Sequence, residues 1–186
     1  MLLGFSNFTD VCANPKDPWP DELRFGWSKA IAVPMAGGTD SSGIFSIAFR
    51  QDANQAQIEK IRETSPIADD HGYYIGVAVG GDYTLPNTLE GTAAWSADSG
   101  STWTASSKLP HGYRSAVAYD KSMKAWITVG PNGTDISTDD GKNWRAIHPN
   151  QALGEAPDAD RNWNALSLPY VVGPKGRIGK LDRTHF

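Results

Sequence analysis

A chain of 186 residues with a net charge of −4 is long enough for one domain with a sizeable core and carries no electrostatic footprint for nucleic acid. Its single cysteine, Cys12, excludes an internal disulfide framework, and no apolar run approaches the ~20 residues of a membrane-spanning helix. Nineteen glycines, twelve prolines and seven tryptophans point to a turn-rich, all-β protein.

Met1-Leu-Leu-Gly-Phe5 is too short and uncharged for a signal peptide, because Ser6, Asn7 and Asp10 follow at once. Residues 1–24 read as an irregular segment, since the prolines of Asn14–Pro20 deny regular hydrogen bonding. Residues 25–33 have the character of a strand, ended by Pro34 and Gly37-Gly38. It precedes a first strand and is therefore expected to be the fourth strand of a preceding or closing unit. Residues 41–49 form the next strand. Gln51–Asp70 breaks the strand rhythm, and Asp52 is placed to cap a short helical insertion near 53–63, with Ile58 and Ile61 on one face. His71–Val79 resumes the sheet, and Leu85–Gly91 is a loop.

Then comes Trp95-Ser-Ala-Asp-Ser-Gly-Ser-Thr-Trp103, matched by Ile136-Ser-Thr-Asp-Asp-Gly-Lys-Asn-Trp144. Asp98 and Asp139, Gly100 and Gly141, Trp103 and Trp144 are each 41 positions apart. A fixed period of this size built from strands signals a propeller or another repeat array. Each member has a folding role. Gly100 and Gly141 supply a left-handed turn position, and the carboxylates of Asp98 and Asp139 accept hydrogen bonds from their own turns. The hydroxyls of Ser96 and Ser137 join that network, and Trp103 and Trp144 bring apolar surface to the returning strand. An Asp here as general acid or calcium ligand is the weaker alternative.

Strands over 113–119 and 124–129 follow, joined by the turn 120–123. Pro131-Asn-Gly133 turns into a third strand, so that four antiparallel strands occupy the span of one propeller blade, about 40 residues. After the loop 148–161 come strands over 163–168, 170–172 and 177–181. Val172-Gly-Pro-Lys-Gly176 repeats Val129-Gly-Pro-Asn-Gly133 at an offset of 43. The units are therefore about 43–106, 111–148 and 162–182, within a domain of 25–186. Two nearly full units plus three strands fall short of the 4–8 blades that close a ring. The chain is expected to be part of a larger propeller or to complete a ring as a homo-oligomer.

The repeated Ser-x-Asp-x-Gly-x-x-Trp pattern resembles the Asp-box, or BNR repeat. Gly80-Gly-Asp-Tyr83, His111–Tyr119, Val129–Ser137 and Val171–Ile178 further resemble propellers of the photosystem II stability/assembly factor-like group, over about residues 27–182. The resemblance implies a partial β-propeller of four-stranded blades, extracytoplasmic location, and a non-enzymatic binding or assembly scaffold with no cofactor. Sialidase-like glycoside hydrolases share the repeat and supply the alternative, a hydrolase remnant. The Phe-Arg-Ile-Pro motif of such enzymes is absent, with Phe49-Arg-Gln-Asp52 only a superficial match, and Asp82 and Glu90 lack the paired context a two-carboxylate mechanism needs.

No phosphate-binding glycine motif occurs, and His71, His111, His148 and His185 are spaced unlike a zinc site, so no metal is expected. Strand one of every propeller blade lines the central channel. Aligning those segments puts Phe45, Arg114 and Asn164 at one equivalent position, with Tyr113 and Trp163 matching Ile44. A channel mouth holding Tyr113, Arg114, Trp163 and Asn164 would suit a protein or small polar ligand, with Arg114 clasping a carboxylate. The competing role for Arg114 is an ion pair with an acid of a neighbouring unit. Asp82 and Tyr83 are weaker candidates.

Overall fold

The computed structural model describes residues 29–52 and 74–182. The chain divides into Met1–Ala32 and Val33–Phe186, and every described strand lies in the second part. Residues 29–33 form no strand, which corrects that part of the strand expected over 25–33; residues 25–28, the irregular segment 1–24 and the helical insertion 53–63 lie outside the described residues.

The architecture is all-β, in three antiparallel sheets whose strands follow chain order. The first sheet contains β1 (Ser42–Gln51), β2 (Tyr74–Asp82), β3 (Ala93–Ser96) and β4 (Thr104–Ala105). The second contains β5 (Ala116–Asp120), β6 (Ala125–Gly130), β7 (Gly133–Ser137) and β8 (Arg145–Ile147). The third contains β9 (Ala165–Ser167), β10 (Tyr170–Val172) and β11 (Ile178–Lys180), with β11 at its edge.

Packing follows from the two-residue period of strands, which sends alternate side chains to opposite faces. On β1, Ser46, Ala48 and Arg50 turn towards the second sheet, whereas Ile47 and Phe49 stay about half exposed on the other face. Ile75, Val77, Val79 and Ala93 of the first sheet bury against Val117, Trp126 and Trp144 of the second. Val129 and Ala116 of the second sheet bury against Trp163 and Val171. Ala125, Ile127 and Ile136 pack with Leu166, Leu168 and Leu181.

The junctions between sheets repeat. The Arg114 N–H donates to Gly80 O at 2.9 Å, joining the first two sheets, and the Trp163 N–H donates to Gly130 O at 3.3 Å, joining the next pair. One residue later, Ser115 N–H and Asn164 N–H donate within their own sheets to Val129 O and Val172 O, each at 2.8 Å. A side chain on Gly80, Gly130 or Gly173 would collide with the carbonyl oxygen of Gly43, Tyr113 or Asn162 respectively. Each glycine therefore marks the point where the incoming backbone crosses the second strand of a sheet.

Candidate functional site

Both Ser-x-Asp-x-Gly-x-x-Trp turns close on themselves in the same way. The Ser96 hydroxyl donates to Asp98 Oδ1 (2.8 Å) and accepts from the Gly100 N–H (2.9 Å). Asp98 also accepts from the Thr102 N–H (2.8 Å) and the Thr102 hydroxyl (2.6 Å), and the Trp103 indole donates to Gly100 O (3.0 Å). In the second turn, the Ser137 hydroxyl donates to Asp139 Oδ1 (2.8 Å) and accepts from the Gly141 N–H (3.0 Å). Asp139 accepts from the Asn143 N–H (2.9 Å) and side-chain amide (2.7 Å), and the Trp144 indole donates to Gly141 O (3.0 Å).

Partial burial opposes ionisation of both carboxyls. Donors from Thr102, Ser96 and Ser101 outweigh it for Asp98, and those from Asn143 and Ser137, with Lys142 nearby, outweigh it for Asp139, so both carboxyls lie below their ordinary value. Their oxygens already hold donors from their own turns, an arrangement that suits folding rather than proton transfer. The two indoles diverge. Trp144 is fully buried between the first two sheets, whereas Trp103 is half-buried, edge-on to Phe49 at a centroid distance of 6.2 Å.

Arg114 is wholly buried and clasps Asp135 of its own sheet, so its guanidinium is not offered to a ligand at a channel mouth. Nε donates to Asp135 Oδ2 at 2.8 Å and Nη2 makes a shorter contact with the same oxygen. Nη1 donates to Asn132 Oδ1 (2.6 Å) and Tyr113 O (2.8 Å), while His111 Nδ1 lies 2.8 Å from Asp135 Oδ1. Burial raises the Asp135 carboxyl, but the His111 and Arg114 contacts prevail and hold it low. The acid belongs to β7 of the same sheet, not to a neighbouring unit as the ion-pair alternative had it.

The alignment of Arg114 with Phe45 and Asn164 is one residue out. By the junction bonds, Arg114 matches Trp163 and Ser115 matches Asn164. The glycine collisions extend the match to the first sheet: Gly43 O meets Gly80 as Tyr113 O meets Gly130, so Ile44 matches Arg114, and Phe45 matches Ser115 and Asn164. A one-residue shift sends a strand side chain to the opposite face.

The other expected site residues are not gathered into one open pocket. Trp163 is buried beneath the Arg177 guanidinium, 4.2 Å from its ring centroid, and donates to Ala159 O (2.9 Å). Tyr113 is buried edge-on to Phe45 (5.0 Å) and Tyr83 (6.5 Å). Asn164 is exposed. Phe45 and Tyr83 remain about half exposed and also meet edge to face, 5.9 Å apart, so the accessible aromatic surface at this end is theirs. Tyr83 was a weak sequence candidate, and Phe45 stood in the strand-one alignment, where its match to Asn164 holds.

A separate cavity of about 380 Å³ lies between the second and third sheets, floored by Ile127, Val129 and Thr134 and roofed by Leu166 and Val171. Asp160 lines it, buried, with Oδ2 lacking a hydrogen bond among the described residues and His148 Nδ1 3.8 Å away. Among the described residues no three His, Cys, Asp or Glu side chains are grouped to hold a metal, and no helix is long and apolar enough to cross a membrane.

No family model, curated protein or solved structure matches this chain.

Proposed function

We propose that the three sheets are successive blades of an Asp-box β-propeller and that the chain is a non-enzymatic binding or assembly scaffold. The carrying observation is the recurrence of one junction, Arg114 N–H to Gly80 O and Trp163 N–H to Gly130 O, between sheets of the same strand order. A repeat built this way presents equivalent residues of successive blades along one rim, where loops carry function on a rigid frame. The partner, a protein or a small polar ligand, meets that rim at Phe45 and Tyr83, with Asn164 at the equivalent place in the third sheet. Exposed aromatics of this kind are favoured anchors at interfaces.

The glycoside hydrolase alternative requires carboxylates directed into one cleft. Asp98, Asp139 and Asp135 instead spend their oxygens on turn donors and on Arg114, which favours the scaffold. Two measurements test the reading together. A panel of fluorogenic glycosides, sialosides included, should not be turned over. A Phe45→Ala/Tyr83→Ala variant should lose capture of a purified partner while keeping the wild-type melting temperature. Turnover that tracks the purified protein would overturn the scaffold assignment, and full capture by the folded double variant would remove this rim.

A further inference from the structure

Trp144 fills the space between the first two sheets, and the cavity between the second and third sheets is the corresponding space without a counterpart of Trp144 among the described residues. Register makes the comparison residue by residue. Val77, Val79 and Ala93, which pack with Trp144, correspond to Ile127, Val129 and Thr134, because Val79 pairs with Ala93 as Val129 pairs with Thr134. Those three residues are the floor of the cavity.

The backbone around the two spaces corresponds as well. Beside Trp144, Ser107 N–H donates to Lys142 O (2.8 Å) and the Trp144 N–H donates to Lys108 O (3.0 Å). Ala105 faces Ala94 as Ala146 faces Asp135, so Ser107 and Lys108 correspond to His148 and Pro149, and both of these line the cavity. In the second sheet, β8 follows the Asp-box and covers β7; in the third sheet β11, the counterpart of β7, is the edge among the described residues.

We infer that this cavity is an acceptor site for an extended segment of another polypeptide that carries an Asp-box turn and its tryptophan. The indole enters over Ile127, Val129 and Thr134, and the strand after it pairs with β11, adding a fourth strand to the sheet. His148 N–H and Pro149 O take the places of Ser107 N–H and Lys108 O as donor and acceptor for the turn. The buried Asp160 Oδ2 provides a further acceptor at the cavity wall, suited to a donor on the incoming segment. This site is distinct from the Phe45–Tyr83 rim, so either can fail without the other.

The probe is a fluorescein-labelled peptide of residues 137–147, Ser-Thr-Asp-Asp-Gly-Lys-Asn-Trp-Arg-Ala-Ile. It should bind the full chain saturably, with methyl NMR shifts at Ile127, Val129, Leu166 and Val171. Replacing its tryptophan by alanine should weaken binding roughly tenfold or more. Leu153→Asp and Ile178→Asp, at half-exposed and well-exposed residues of the cavity lining, should do the same without lowering the melting temperature. No saturable binding to the folded protein, equal binding of the alanine peptide, or shifts confined to the Ile47 and Phe49 face of β1 would each overturn the inference.

Discussion

Arg50 reaches from β1 to Asp140 in the turn between β7 and β8, donating from Nε to Oδ1 at 2.8 Å and from Nη2 to Oδ2 at 2.9 Å. The pair joins two sheets, and the same guanidinium lies 5.4 Å from the Tyr119 ring centroid. The forked geometry belongs to Arg and is not reproduced by Lys. Double-mutant cycles on Arg50→Ala and Asp140→Asn should therefore give a coupling of about 1 kcal/mol, with Arg50→Lys recovering little of it. A coupling indistinguishable from zero in urea unfolding would make the pair incidental to the docking of the sheets.

The carboxylates of Asp98 and Asp139 are expected to act on stability. Asp98→Ala or Asp139→Ala leaves turn N–H groups without their acceptor and should cost about 1–3 kcal/mol. Partner capture by the surviving folded fraction should be unaffected. Loss of an activity at an unchanged melting temperature, measured by differential scanning fluorimetry, would contradict this role.

Those same carboxyls make a pH prediction. Both are held below the ordinary carboxylate value in the folded chain, so they bind protons more readily when unfolded. Their stabilisation is complete above the unfolded value of about 4 and is lost as pH falls through the lower folded value. The deficit of Asp139→Asn relative to wild type should thus be largest near neutrality and shrink in acid. Denaturant midpoints at pH 7 and pH 3 measure it; a deficit that grows on acidification would reverse the sign argued here.

Arg114 should be the costliest polar residue to truncate. Arg114→Ala strands the Asp135 carboxylate in the interior, an expected loss of about 3–5 kcal/mol, whereas Arg114→Met with Asp135→Leu should recover much of it. Chemical denaturation of the two variants decides this. A single variant as stable as the double one would mean that His111 satisfies Asp135 unaided.

Gly130→Ala tests the junction. Its Cβ would meet the Tyr113 carbonyl oxygen, and crowding of that kind costs about 1–3 kcal/mol. Gly154 is a control: its φ of +83° disfavours a side chain, yet no atom lies within 4 Å of the place its Cβ would take. Gly154→Ala should cost about 1 kcal/mol. Equal thermal shifts for the two would show that backbone approach does not govern the junction.

How far the chain could be read in advance depended on the distance between cause and effect. The turns around Asp98 and Asp139 were legible because the hydrogen bonds of these two carboxylates join residues at most four positions apart. The strand sequence of the second and third sheets followed from alternation and from the repeated Val-Gly-Pro. Arg114 was misplaced because its partner Asp135 is 21 residues away and because the junction bonds that set the match between units are not visible along the chain. A carboxylate inside a strand between Thr134 and Ile136 was the available signal, since a buried acid there needs a cation. The cavity had no signal of its own, being defined by what Trp144 fills elsewhere.

The locally bonded turn between β7 and β8 also bears on the order in which the chain gains structure. The β7–β8 hairpin is closed by contacts local in sequence, and isolated hairpins form in roughly 1–10 μs. The β1–β2 ladder must bring Gln51 to Tyr74, a closure over a longer stretch of chain and therefore a slower search. The second sheet should therefore serve as the nucleus on which its neighbours condense. Conservative truncations such as Ile136→Val would then slow folding, while Ile47→Val would chiefly hasten unfolding.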